Sequence, residues 1–380
     1  MLFNEIIGQE HIKTHLQQSA KNGRIPHAQL FIGKEGSGTL PMAIAYAQFL
    51  LCNFSDNVEA CNLKCNNLQH PDLHFTFPVT TTDSVKKHAV SNLFLEDWRQ
   101  FIKEQPYGSL FNWLQKIGVE NKQGLINVDE AEEVVKKLQL KSYEGGFKVM
   151  IIWMAEKMNI AAANKLLKLI EEPPQKTVFI LITEDEEQII NTIKSRCQAL
   201  HFPALSEQDI FTALIEKQKV SESNAGNIAH QAEGNYNKAI HLLHHDDADL
   251  IFEEWFIAWI RTAFKAKGNV TVVQQLVSWS DTIAKTGRET QKRFLNYCLQ
   301  FFRQALLQNY NSASLVFLET KTNFDLKKLA PFIHSGNIMD INEALNDAIY
   351  HIERNGNAKI ILLDLSMKLT RFLHKKEETV

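Results

Sequence analysis

Three short, unbroken apolar runs constrain this chain more than any other feature: Ala28–Ile32 (AQLFI), residues 149–153 (VMIIW) and residues 178–182 (VFILI). A strand with one wet face alternates polar and apolar residues, so a strand apolar throughout is covered on both faces. Between the runs lie segments with apolar residues spaced three and four apart. Residues 128–138 carry that pattern, as do residues 159–170, which are stopped by Pro173 and Pro174. Residues 42–51 read as another helix, with Pro41 tolerated in its first turn. Buried strands alternating with helices predict a parallel sheet covered by helices, an α/β domain. Residues 73–77 and 199–202 add shorter strands, and residues 83–93 read as a loop.

The texture changes near Pro203. Beyond it there is no strong strand signal. Residues 206–218, 221–232 and 237–245 read as short helices, the last with a polar end at His244-His245. Residues 250–267, 271–285, 288–308, 341–355 and 358–374 are longer and suit a bundle. The expected organisation is an α/β domain over residues 1–204, a small helical domain over 205–247 and an all-helical domain over 248–380.

Charge limits the partners. Lys plus Arg number 41 against 44 for Asp plus Glu, a net charge of −3, so no general basic excess holds this chain on nucleic acid. DNA contact has to be local or shared with partners. No run of about 18 apolar residues suggests a membrane span. The opening MLFNEIIGQEH lacks the basic and apolar regions of a signal peptide. With 5 cysteines, an odd number, and no export signal, the expectation is reduced thiols in the cytoplasm.

After the first apolar run comes Gly33-Lys34-Glu35-Gly36-Ser37-Gly38-Thr39-Leu40, leading into a helix. That is the setting of a phosphate-binding loop, G-x-x-x-x-G-K-[ST], whose glycines let backbone N–H groups point at phosphates. Gly33, Gly36 and Gly38 keep the framework. Thr39 stands where the lysine belongs and Leu40 where the magnesium-holding hydroxyl belongs, so neither supplies its chemistry. Losing a charged hydrogen bond of about 1.5–3 kcal/mol weakens binding by roughly one to two decades. A nucleotide hydrolase also needs an acidic pair at the end of a buried strand. After VMII this chain has Trp153 and Met154, suited to packing, and Glu156 comes two positions late. The framework of a nucleotide hydrolase is kept and its reacting groups are missing.

Other residues are recognisable together: Ile7-Gly8-Gln9, Pro26-His27-Ala28, His70-Pro71-Asp72, Asn164–Lys168 (NKLLK), Glu171-Glu172-Pro173-Pro174 and Lys194-Ser195-Arg196-Cys197. With Gly33–Gly38 they are spread through the first 245 positions, and the chain resembles the AAA+ clamp-loader family, in particular the delta-prime subunits of bacterial DNA polymerase III. Residues 351–359 (HIERNGNAK) look like the family's helical collar. The resemblance implies an AAA+ α/β domain, a helical lid and a collar in a ring that opens a sliding clamp and places it on primed DNA. It implies partners: an ATPase neighbour, a delta-like clamp-opening subunit, the clamp indirectly, DNA through the assembly, and no membrane. The delta-prime branch lacks ATPase activity, which the broken loop and missing acids fit.

The resemblance assigns Arg196 a role. The arginine of S-R-C reaches the ATP held by the neighbouring subunit, so a chain unable to hydrolyse ATP still contributes a catalytic group. Such an arginine grips phosphate with a planar fork and is worth about 10³–10⁵ in rate. ATP-hydrolysing relatives carry a γ-phosphate-sensing arginine in the lid, where this chain has Asn237. Relatives also place a zinc module, C-x8-C-x2-C-x2-C, after the loop's helix. Cys52 and Cys61 keep its first spacing, Cys65 is one residue off, and no fourth cysteine follows; His70 could serve, but it belongs to the H-P-D stretch that the family keeps outside the metal. Structural zinc requires four ligands, so the expectation is a metal-free remnant with no cofactor, and zinc on Cys52, Cys61 and Cys65 is the alternative. Two other functions stay open: an active ATPase or DNA motor with a non-standard loop, and a free-standing interaction protein.

Overall fold

The computed structural model describes residues 1–53, 55, 57–119, 122–143, 146–244, 247–310, 320, 322 and 324–376. Among them, Met1–Val119 and Gln123–Leu243 form one compact unit, and the residues from His244 onward form another.

The first unit is built on five parallel strands: β1 Ala28–Ile32, β2 Leu73–Thr76, β3 Lys148–Ile152, β4 Thr177–Thr183 and β5 Gln198–His201, in the order β2-β3-β4-β1-β5. Residues along β1, β3 and β4 are buried without exception, as unbroken apolar runs require. Successive side chains point to opposite faces. Phe31, Ile151 and Ile180 enter one core, with Trp98 and Trp113, while Leu30, Met150 and Leu181 enter the other, with Val134 and Leu166.

The helices of this unit are α1 Glu10–Lys21, α2 Thr39–Cys52, α3 Val58–Asn66, α4 Leu95–Glu104, α5 Leu110–Lys116, α6 Val128–Gln139, α7 Ile160–Glu171 and the single turn α8 Asn191–Lys194. They start where capping chemistry allows. The Asn159 side chain accepts from Ala162 N at 2.8 Å and opens α7; Asn127 opens α6 in the same way. Residues 83–93 are largely irregular, as expected, with a short 3₁₀ turn Ser91–Phe94 at their end.

Three more helices complete the unit: α9 Glu207–Gln218, α10 Glu222–Ala232 and α11 Tyr236–Leu243. Ile210, Leu214, Ala229 and Ala239 form their small core, closed by Ile7 and Tyr107 from the sheet region. The expected helix end at His244-His245 falls partly outside the described residues.

The second unit is all-helical where described: α12 Asp247–Lys265, α13 Val270–Ala284, α14 Arg288–Asn309, α15 Leu326–Leu329, α16 Ser335–Glu353 and α17 Ala358–Phe372. Its core is aromatic. Trp259 is fully buried, stacks on Trp279 at 4.9 Å and donates its indole N–H to Ser366 Oγ at 2.8 Å. No described helix is long and apolar enough to cross a membrane.

Candidate functional site

The strand register puts the glycine loop at the C-terminal edge of the sheet. Ile32 pairs with Thr183 and His201, and the loop follows at Gly33, where α/β sheets carry their ligands. Gly36 and Gly38 take positive φ, +72° and +95°, which residues with a Cβ rarely adopt. The loop therefore has the bends of a phosphate cradle.

It does not have the opening. Gly36, Ser37, Gly38, Thr39 and Leu40 are all buried, while Lys34 points to solvent. The chain itself covers them. The Tyr107 ring lies against Gly38 and meets Tyr236 edge-on at 5.0 Å. Tyr107 Oη accepts from Ile7 N at 2.8 Å, and burial raises its pKa further above the ordinary tyrosine value. Tyr236 N donates to the Gly36 carbonyl, and Gln9 Nε2 donates to the Ser37 carbonyl at 3.1 Å and the Pro203 carbonyl at 2.7 Å.

Glu35 occupies the one carboxylate position within the loop. Its Oε1 accepts from Asn237 Nδ2 at 2.8 Å and Asn235 Nδ2 at 3.3 Å, and Asn237 also donates to Asn112 Oδ1 at 3.0 Å. An internal anion thus ties the N-terminus of α11 to the loop. Asn237, in the position of the phosphate-sensing arginine, faces this carboxylate. The Ser37 hydroxyl is buried with no hydrogen-bond partner among the described residues.

The end of β3 carries no acidic pair. Trp153 and Met154 are buried, and Trp153 packs on Trp98 at 5.1 Å and Phe101 at 6.0 Å. Glu156 lies in the turn after β3, where its Oε1 accepts from Glu184 N at 3.3 Å. Burial pushes its carboxyl pKa up.

Arg196 lies at the opposite edge. It precedes β5, whose Gln198 pairs with Gln29 near the start of β1. The loop is roughly a strand length away, about 13 Å at 3.3 Å per residue. The Arg196 guanidinium contacts Glu171 through Nε and Nη2, and Nη1 donates to the Thr192 carbonyl at 2.8 Å. Cys197 is packed against the core and burial pushes its thiol pKa up to about 12, so it is not a nucleophile near neutrality.

Cys52 closes α2, and Cys61 and Cys65 lie four apart on one face of α3. Cys52 and Cys61 form a disulfide, which corrects the expectation that every thiol is reduced. The turn between α2 and α3 brings their Cα atoms to 5.4 Å, within bridging range. Cys65 Sγ is 3.7 Å from Cys52 Sγ. The three sulfurs are gathered within 4.8 Å of one another, but two are bonded to each other, and His70 is not gathered with them. The set offers three ligand atoms where structural zinc takes four.

Sequence reasoning pointed to the loop and to Arg196 but missed what surrounds them. Tyr107, Asn112 and Asn235 gave no local signal, because only the fold brings them to the loop. Glu35 did give one: a carboxylate inside an anion cradle opposes a phosphate ligand. Glu171 was visible in the E-E-P-P stretch, but its pairing with Arg196 was not.

Residues 8–206 match the family model described as DNA polymerase III, delta subunit. The chain is 31% identical over 237 residues to the DNA polymerase III subunit delta' of Bacillus subtilis, covering 61% of this chain and 58% of that one. It is 27% identical over 248 residues to subunit tau of the same organism, covering 63% of this chain and 37% of that one. The match thus spans less than two thirds of the length of either relative. A solved structure of the Thermotoga maritima RuvB Holliday junction branch migration motor covers 83% of this chain and 84% of its own, at 15% identity and a TM-score of 0.40, too loose a likeness to argue from.

Proposed function

The chain belongs to the DNA polymerase III, delta subunit family, among the AAA+ clamp-loader proteins of bacterial DNA polymerase III, and from that membership we propose that it is a non-hydrolysing subunit of the delta-prime kind. In this reading it sits in a clamp-loader ring with an ATPase neighbour and a delta-like subunit, and helps place the sliding clamp on primed DNA. DNA contact comes through the assembly, in keeping with the net charge of −3. The match to a tau subunit means that kinship does not choose the branch; the loop is what supports the non-hydrolysing one.

The observation that carries the reading is the burial of the loop under Tyr107, Asn235 and Tyr236. A loop whose glycines are buried and whose Thr39 stands where the phosphate-binding lysine belongs has little to offer a triphosphate. The Arg196 corner supports the second half of the reading. It lies at the other edge of the sheet, so Arg196 does not serve this chain's own loop and is available to a nucleotide held elsewhere.

The test is ATP hydrolysis by a reconstituted clamp loader, stimulated by clamp and primed DNA, with Arg196→Ala set against the unaltered chain. The expected result is normal assembly on a sizing column with hydrolysis at one site reduced by at least about a hundredfold. Unchanged hydrolysis in an assembled ring would overturn the arginine's role.

A further inference from the structure

Arg196 already has a partner inside its own chain. Nε and Nη2 both face one oxygen of Glu171, while Nη1 donates to the Thr192 carbonyl at 2.8 Å and lies 3.2 Å from Ser195 Oγ. A guanidinium grips phosphate through two adjacent N–H groups. Both edges of this fork that offer such a pair are engaged.

The position of Glu171 is unfavourable by itself. It is the last residue of α7, at the negative end of the helix dipole, where a cation is preferred and a carboxylate disfavoured. Arg196 offsets that mismatch. Yet neither partner is locked in place, with side chains 43% exposed for Glu171 and 36% for Arg196. Ion pairs this open to water are weak and exchange readily.

We propose that Glu171 is a resting counter-ion for Arg196, displaced by the phosphate of the neighbouring subunit's nucleotide when the ring is loaded. The proposal rests on the reading that Arg196 acts in trans. A triphosphate offers more charge and more oxygens than a single carboxylate, and it matches the guanidinium fork bidentately, so it wins the exchange. Because each phosphate has to displace Glu171, the carboxylate sets the nucleotide concentration at which that site fills. It takes no part in the chemical step that follows. Until then it keeps an exposed guanidinium from other anions.

The test compares Glu171→Gln, Arg196→Ala and the double variant in a reconstituted ring whose other ATPase sites are silenced. Glu171→Gln keeps the shape and removes the charge. Its KM for ATP should fall by about two- to fivefold, the scale of an exposed ion pair, with kcat within about twofold of the unaltered chain. The double variant should match Arg196→Ala alone. A tenfold or larger drop in kcat for Glu171→Gln would make Glu171 a positioning residue instead, and an unchanged KM would make the pair a bystander; either overturns the proposal. If Glu171→Gln does not assemble, Glu171→Asp, which keeps the charge but withdraws it from reach, gives the same readout. An inert Arg196→Ala would sink the trans-acting reading itself, whatever Glu171 does.

Discussion

The two edges of the sheet are built in opposite ways. At the C-terminal edge, a loop bent for phosphate is closed by the chain's own tyrosines and asparagines, with Glu35 as a built-in anion. At the N-terminal edge, Arg196 stands about a third in solvent with one exposed carboxylate beside it. The first set of residues is packed into the fold and removing it disturbs the fold. The second set touches little that is buried. The contrast separates what this chain needs in order to fold from what it offers to something outside it.

Stability measurements break or sharpen that contrast most directly. Tyr107→Ala removes a buried ring, its contact with Tyr236 and the bond to Ile7 N, and should lower unfolding stability by about 3 kcal/mol in urea titrations. Arg196→Ala should stay within about 0.5 kcal/mol under the same conditions. Equal losses would mean that the two edges are not different in kind. A smaller effect is expected at Glu35. Glu35→Ala strips the acceptor from Asn235 and Asn237, costs about 1 kcal/mol, and should speed amide exchange through α11. No change in exchange would leave the tyrosine pair as the sole fastening of that helix.

The smallest expected effect is none at all. Restoring the missing side chains with Thr39→Lys and Leu40→Thr should leave the melting temperature insensitive to millimolar Mg-ATP, since the packed residues still fill the loop. Ligand binding stabilises by RT ln(1 + [L]/Kd), so micromolar affinity would appear as a clear upward shift. Such a shift, in the variant or the unaltered chain, would mean that the cover opens cheaply and would revive the reading of an active ATPase.

Much of this was legible in the sequence. The runs AQLFI, VMIIW and VFILI became β1, β3 and β4 because a strand covered on both faces has no need of alternation. Pro173 and Pro174 marked the end of α7, and Asn159 marked its start. α1, α3, α4, α5, α8 and α15 were not anticipated. α3 has almost no segregated apolar face, and the burial of Trp98 and Trp113 depends on partners distant in sequence. The substitutions at Thr39, Leu40, Trp153 and Asn237 were readable one at a time. What replaced the ligand was not, because Tyr107, Asn112 and Asn235 reach the loop from 67 or more positions away and only the fold joins them. The disulfide was equally hidden: nine residues of separation permit a bridge without requiring one.

The two positive-φ glycines carry one more consequence. A Cβ built on Gly36 would come within 2.0 Å of Asn235 Oδ1, and one on Gly38 within 3.2 Å of the Tyr107 ring. A mutational scan of this chain should therefore find both positions intolerant, although on the present reading no nucleotide ever visits them. Intolerance at a phosphate-loop glycine is usually taken as the mark of a working binding site. Here the same mark would be left by helix docking alone, so a pattern search that counts such glycines reports the contour of the backbone and says nothing about what fills it.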